Sequence, residues 1–185
     1  MYTTAGGLFM LAAAVLSPGL PGTLAAANPP DAIVQGAELP PDPGEAGRET
    51  LAGIDTNDNG LRDDLERHIA RHFGSDRRVV RAVENAVIAS QYGILATNDE
   101  DSRHALAMLT HAGDCMGTIA ARLAPYGDAL WRLRRMIDDT PERKQAMARH
   151  MGRVLRLHVV MNEQQEWTEH CDGRVDEVVA PPPEV

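Results

Sequence analysis

The chain has 185 residues, enough for one domain with a real core plus tails. Its formal net charge is −9 and Lys144 is its only lysine; nucleic-acid affinity rests on neutralising phosphates, so no nucleic acid is expected as a partner, and docking on anionic lipid is opposed. Aromatic residues make up only 4% of the chain, so a core must be built from Leu, Val, Ile, Ala and Met.

Residues 1–27 carry no charged side chain. Gly7 to Leu16 form an apolar run of signal-peptide length, followed by Pro18 and then by Ala25-Ala26-Ala27, an A-x-A cleavage pattern with Asn28 next. The positive n-region of a signal peptide is missing. A membrane anchor is the competing reading, but ten residues are too few to cross about 30 Å of hydrocarbon. Pro18 and Pro21 break any extension, and no cysteine stands near the cleavage site to take a lipid. The expectation is export, to a periplasmic or secreted location, with no membrane span after signal cleavage. Residues 28–50 hold Pro29, Pro30, Pro40, Pro41 and Pro43 and read as a flexible linker.

Asp55 to Glu66, DTNDNGLRDDLE, is the most informative stretch. Asp55, Asn57, Asn59, Asp63 and Glu66 put oxygen side chains at loop positions one, three, five, nine and twelve. Gly60 stands at position six, where the backbone must turn sharply, and Leu61 at position seven offers its carbonyl. Calcium takes such a set of hard oxygens, with a bidentate Glu closing it. The alternative is an Asn/Asp/Gly turn that only caps the next helix. Three formal charges and a single loop predict weak binding, on the order of 10⁻⁵ to 10⁻³ M. The expected role is a structural clip, since a sensor needs a helix pair that opens on binding.

Beyond the loop the period is helical. A first helix is expected from about Arg62 to Phe73 on a Leu65, Ile69, Phe73 stripe, stopped by Gly74. Ser75 or Asp76 caps a second through Leu95, with Val80, Val83, Val87 and Ile94 on one face. Asn98 or Asp99 opens a third that turns Leu106, Leu109, Met116, Ile119 and Leu123 inward until Pro125. A shorter helix follows Tyr126-Gly127-Asp128, and Asp139-Thr140-Pro141-Glu142 starts the last, on Met147, Met151, Val154, Leu155 and Val159. Asp172 to Val185, ending in APPPEV, reads as a disordered tail. The fold class is all-α: an irregular bundle of four to five helices behind a calcium-binding loop, the body spanning 51–171.

An ordinary EF-hand has an apolar residue at position eight and a helix leading in; here position eight is Arg62 and the lead-in is ETLAGI. With Leu61 at seven, Asp63 at nine and Glu66 at twelve, the loop resembles those of bacterial thrombospondin type 3-like repeats. GIDTNDNGLRDDLERHI, with the later Thr140-Pro141-Glu142-Arg143 and Cys171-Asp172, also resembles small exported proteobacterial proteins of unknown function with a helical body. That resemblance implies a compartment and a fold class, and no known activity.

Cys115 and Cys171 form an even pair in a chain expected to be exported, which points to a disulfide. Free thiols, or a thiol–imidazole pair using His111 one turn before Cys115, are the alternatives. His68 and His72 share the four-residue spacing that zinc sites use, without a third ligand at a fixed offset or an H-E-x-x-H. His104 with His111, and His150 with His158, read as solvated or core-edge imidazoles. Arg132, Arg134 and Arg135 beside Trp131 form a small basic patch able to meet an acidic partner or a phosphate, or simply a solvated helix side; Trp131 and Trp167 read as core or core-edge. No G-x-S-x-G, phosphate-binding glycine loop or dinucleotide fingerprint is present. The expected function is therefore an exported calcium-binding helical protein acting as a binding or scaffolding module, with an envelope protein as candidate partner. The alternative is an envelope enzyme or enzyme accessory whose site is assembled from His, Asp and Arg on the bundle.

Overall fold

Local cap chemistry marks where the long helices begin. The computed structural model describes residues 39–157 and 171–179. In it α1 spans Asp63–His72, and α2, Arg77–Leu95, starts behind Asp76, whose carboxylate accepts from the Arg78 amide. Helix α3, Asp99–Thr118, opens on a reciprocal capping box: Asn98 accepts from the Asp101 amide, and Asp101 accepts from the amides of Thr97 and Asn98. After a break at Ile119 come a single turn, α4 (Ala120–Leu123), and a 3₁₀ turn (Ala124–Tyr126). Then follow α5 (Gly127–Ile137), α6 (Pro141–Leu157) and a last turn, α7 (Val175–Val178). No strand occurs among the described residues, and the protein is an all-α bundle. The segment 1–27 expected to be a signal peptide, Val159, Trp167 and the APPPEV end lie outside the described residues.

Helix α2 is the axis. It packs along α3 and also meets α1, α5, α6 and α7. That position explains why Val79, Val83, Val87, Ile88, Ala89 and Ile94 are all buried, a wider arc than the single stripe expected for it. Leu65 and Ile69 on α1, with Leu61 before it and Phe73 just after it, close the core from that side. On α3 the buried stripe is Ala105, Met108, Ala112 and Cys115, one position round from the expected one, and Leu109 is 37% exposed. Helical spacing fits both stripes; the smaller alanines let α3 lie close to α2, and Cys115 must face inward to bond its partner. Helix α6 differs similarly: Met151 and Leu155 are exposed, while Arg143, Ala146 and His150 face in.

The break after Thr118 corrects the expectation of one helix reaching Pro125. Gly117 weakens the helix there, and the Thr118 hydroxyl donates to the Cys115 carbonyl (2.7 Å).

Both expected flexible segments are corrected in part. Residues 39–50 of the Pro-rich linker are anchored. Arg67 donates to the Pro40 carbonyl (2.5 Å), and Arg143 donates to the carbonyls of Gly47 (2.6 Å), Thr50 (2.8 Å) and Leu51 (3.2 Å). The expected disordered tail is ordered from Asp172 through Val179, with Val175 and Val179 in the core. Buried Asn85 holds it by imitating a backbone: its amide donates to the Gly173 carbonyl (2.9 Å) and its oxygen accepts from the Val175 amide (3.1 Å).

Candidate functional site

The loop from Asp55 to Glu66 is closed at its base by the Asp63 amide, which donates to the Ile54 carbonyl (2.9 Å). Two residues in the left-handed region wind it: Asp58 at φ 52° and Gly60 at φ 76°. Asp tolerates that conformation better than most side chains, and glycine meets no steric cost there. The Asp55 carboxylate gathers the turn by accepting from the amides of Asn59 (3.1 Å) and Gly60 (2.7 Å). The Asn57 oxygen accepts from the same Asn59 amide (3.3 Å), and the Asn59 oxygen accepts from the Leu61 amide (2.9 Å). Across the loop, the side-chain amides of Asn57 (3.3 Å) and Asn59 (3.0 Å) both donate to Glu66 Oε2.

Asp55, Asn57, Asn59 and Glu66 are thus brought together, two carboxylates and two amides. Asp63 is buried and turned to Thr56, accepting from its amide (3.0 Å) and its hydroxyl (2.5 Å). Leu61 is placed differently again: its side chain is a core residue, which fixes the backbone that carries it. Burial pushes the Glu66 carboxyl above its ordinary value, aided by the charges of Asp63 and Asp55 and opposed by the hydrogen bonds from Asn59 and Asn57. Among the described residues no group of three or more His, Cys, Asp or Glu side chains is arranged to hold a metal.

The C-terminal segment reaches the same loop. Arg174 donates to the Asn59 carbonyl (2.5 Å) while paired with Asp176 (2.8 Å). Cys171 is bonded to Cys115, with Cα atoms 5.4 Å apart, so neither is a free thiol. The His111 ring nitrogen lies 3.8 Å from the Cys115 sulfur. On the other side of the loop, Arg62 is buried and forks onto Asp64 (2.6 and 3.0 Å), with further bonds to the carbonyls of Ile137 (3.0 Å) and Met136 (3.1 Å). A Cβ on Gly53 would meet Arg62 Cδ at 2.9 Å and Arg143 Nη2 at 3.0 Å, so these two arginines leave room only for glycine. Sequence reasoning missed Arg62, Arg67, Arg143 and Arg174, because charge in an amphipathic pattern reads as solvated.

A separate groove of about 580 Å³ runs between α1 and α5. His68 and His72 line one wall, ring centroids 4.5 Å apart, with Trp131, Arg132 and Arg135 opposite. The expectation that Trp131 is core or core-edge is corrected: it is 61% exposed, and Arg135 lies 4.7 Å over its ring. A residue C-terminal to Leu130 on α5 simply falls outside the arc formed by Ala129, Leu133 and Ile137.

Burial lowers the pKa of His68, His104 and His150; at His150, which is almost fully buried, the nearby Arg153 charge adds to the effect. The unfolded imidazoles titrate near 6.5, so the unfolded chain takes up protons first as the pH falls. The stability they contribute is present above about pH 6.5 and is lost as the pH drops toward their folded values. Thermal unfolding between pH 7.5 and 5.5 should show this decline, with a shallower slope in His150→Leu. An unchanged slope in that variant would remove His150 from the account.

Fold and loop define a class: an all-α, disulfide-linked protein with one acidic, oxygen-lined loop at the mouth of its first helix. No protein-family model matches the chain, and no curated protein or solved structure matches it either.

Proposed function

We propose that the chain is an exported calcium-binding helical protein in which the ion is a structural clip for a binding or scaffolding module at the cell envelope. The observation that carries this reading is the convergence of Asp55, Asn57, Asn59 and Glu66, with the Glu66 carboxyl pushed up by burial and by its acidic neighbours. Such a site holds more negative charge than its surroundings neutralise, and a hard divalent cation relieves that. Asp55, Asn57, Asn59, the Leu61 carbonyl, Asp63 and Glu66 would hold it; position nine of such loops often acts through water, which suits an Asp63 already engaged by Thr56. Calcium would supply charge neutralisation where the arm, α1 and the Arg174 segment meet. Export rests on the apolar run and A-x-A pattern of residues 1–27. No helix among the described residues is long and apolar enough to cross a membrane.

The test is thermal unfolding in EDTA and in millimolar calcium, with Asp55→Ala alongside. Calcium at a hundredfold over its dissociation constant should stabilise the fold by about 2.7 kcal/mol, a rise of several degrees, and Asp55→Ala should abolish it. A native protein with no shift, and a flat calorimetric titration at millimolar calcium, would leave the loop as a helix cap. The enzyme or accessory reading gains one observation, the His- and Arg-lined groove between α1 and α5.

A further inference from the structure

The groove between α1 and α5 is a basic feature on an acidic protein of net charge −9. Two carboxylates line it, and both are already satisfied. Asp138 pairs with Arg134 (3.3 Å), and Asp139 pairs with Arg143 (2.7 Å), Arg48 (3.2 Å) and Arg62 (3.7 Å). The groove's other cations, Arg132, Arg135 and Lys144, have no carboxylate partner among the described residues. Arg132 and Arg135 stand three apart on one helix, where like charges repel. Trp131 stays exposed beside them, one face covered by the Arg135 guanidinium.

We propose that this groove binds a small organic anion, its phosphate or carboxylate group held by Arg132, Arg135 and Lys144 and its flat apolar part against Trp131 and Met136. Guanidinium forks match the paired oxygens of phosphates and carboxylates, and two on adjacent turns can grip one group from two sides. The volume falls in the range of small-molecule sites, about 300–1,000 Å³. Size and charge together select the ligand. A long polyanion would meet the repulsion of a chain of net charge −9, whereas a small anion meets only the groove. This inference does not depend on the loop holding calcium.

The test uses the full chain at fixed calcium and low ionic strength, titrated separately with phenyl phosphate and with phthalate. Tryptophan fluorescence and calorimetry read binding, and benzamide serves as the uncharged ring. Binding with a dissociation constant of about 1 mM or below is expected for at least one anion, and the stronger one names the head group. Arg132→Gln combined with Arg135→Gln should weaken it by about tenfold or more. Added sodium chloride should weaken it as well. Asp55→Ala should bind as the native chain does, which separates the groove from the loop. Both substituted arginines are exposed, so the double variant should unfold at the native temperature. Neither anion binding below about 10 mM, or the double variant binding as tightly as the native chain, would overturn the proposal. Equal binding of benzamide would overturn it too.

Discussion

Replacing Arg143 with methionine should destabilise the fold by about 3–5 kcal/mol, the range for removing one partner from a buried ion pair. Arg143 has no exposed surface, and its guanidinium ties the arm before the loop to the corner between α5 and α6. It pairs with Asp139 (2.7 Å) and donates to the carbonyls of Gly47, Thr50 and Leu51. Methionine fills a similar volume but leaves a half-buried carboxylate and three carbonyls without this donor. The arm carrying those carbonyls leads straight into Asp55, so the loss should loosen the candidate calcium loop as well as the body. Urea unfolding measures the first effect, and limited proteolysis between residues 39 and 54 measures the second. Arg143→Lys distinguishes charge from geometry. A lysine keeps the charge but cannot hold a carboxylate and three carbonyls in one plane, so it should recover less than half of the loss. Full recovery by lysine, or a methionine variant as stable as the native protein, would mean that the fork geometry is unimportant.

The same residue shows where sequence reading stops. Asp139-Thr140-Pro141-Glu142 was legible as a helix start because a cap is local chemistry: the Thr140 hydroxyl accepts from the Arg143 amide (3.2 Å), and Pro141 is the first residue of α6. The carbonyl partners of the Arg143 side chain lie about ninety positions away, and no periodicity announces them. Asp76 and Asn98 were legible for the same local reason. The inward faces of α3 and α6 were not: on α3 neighbouring stripes are both largely apolar and only packing chooses between them, and on α6 the face turned in carries Arg143 and His150, which an apolar stripe does not announce. Within the loop, regular spacing was enough to foresee that Asp55, Asn57, Asn59 and Glu66 come together. It did not foresee Asp63 turning to Thr56, since a pattern of ligand positions carries no record of competing hydroxyls. The ordered segment after Cys171 was hidden by composition: its charged residues suggest a tail, while Asn85 and the core around Val175 hold it in place.

Removing the disulfide tests that last element. Cys115→Ala with Cys171→Ala should lower the free energy of unfolding in urea by about 4 kcal/mol, from the closure entropy of a loop whose ends are 56 positions apart. Alanine is the right replacement because Cys115 is buried, where serine would add an unpaired hydroxyl. The effect should also reach beyond global stability. Cys171 fixes the start of a short segment that pairs with Asn85 at Gly173 and Val175 and touches the loop through Arg174 on the Asn59 carbonyl. Freed from α3, that segment has these bonds, the exposed Arg78–Asp172 pair (3.9 Å) and the buried Val175 and Val179 to hold it, and the end next to Cys171 should fray first. Amide exchange at Val175 should therefore quicken by more than the global loss accounts for. Arg174→Gln with the disulfide intact separates the two contributions. It removes the hydrogen bond to Asn59 and should cost only about 1 kcal/mol, while leaving Val175 protected. If the double alanine variant unfolds at the native urea concentration, the bond is not what anchors the segment, and Asn85 with its apolar neighbours must be sufficient. If instead Val175 exchanges faster while the core of α2 does not, the C-terminal segment is a locally unfolding unit, and the disulfide is what keeps it on the loop.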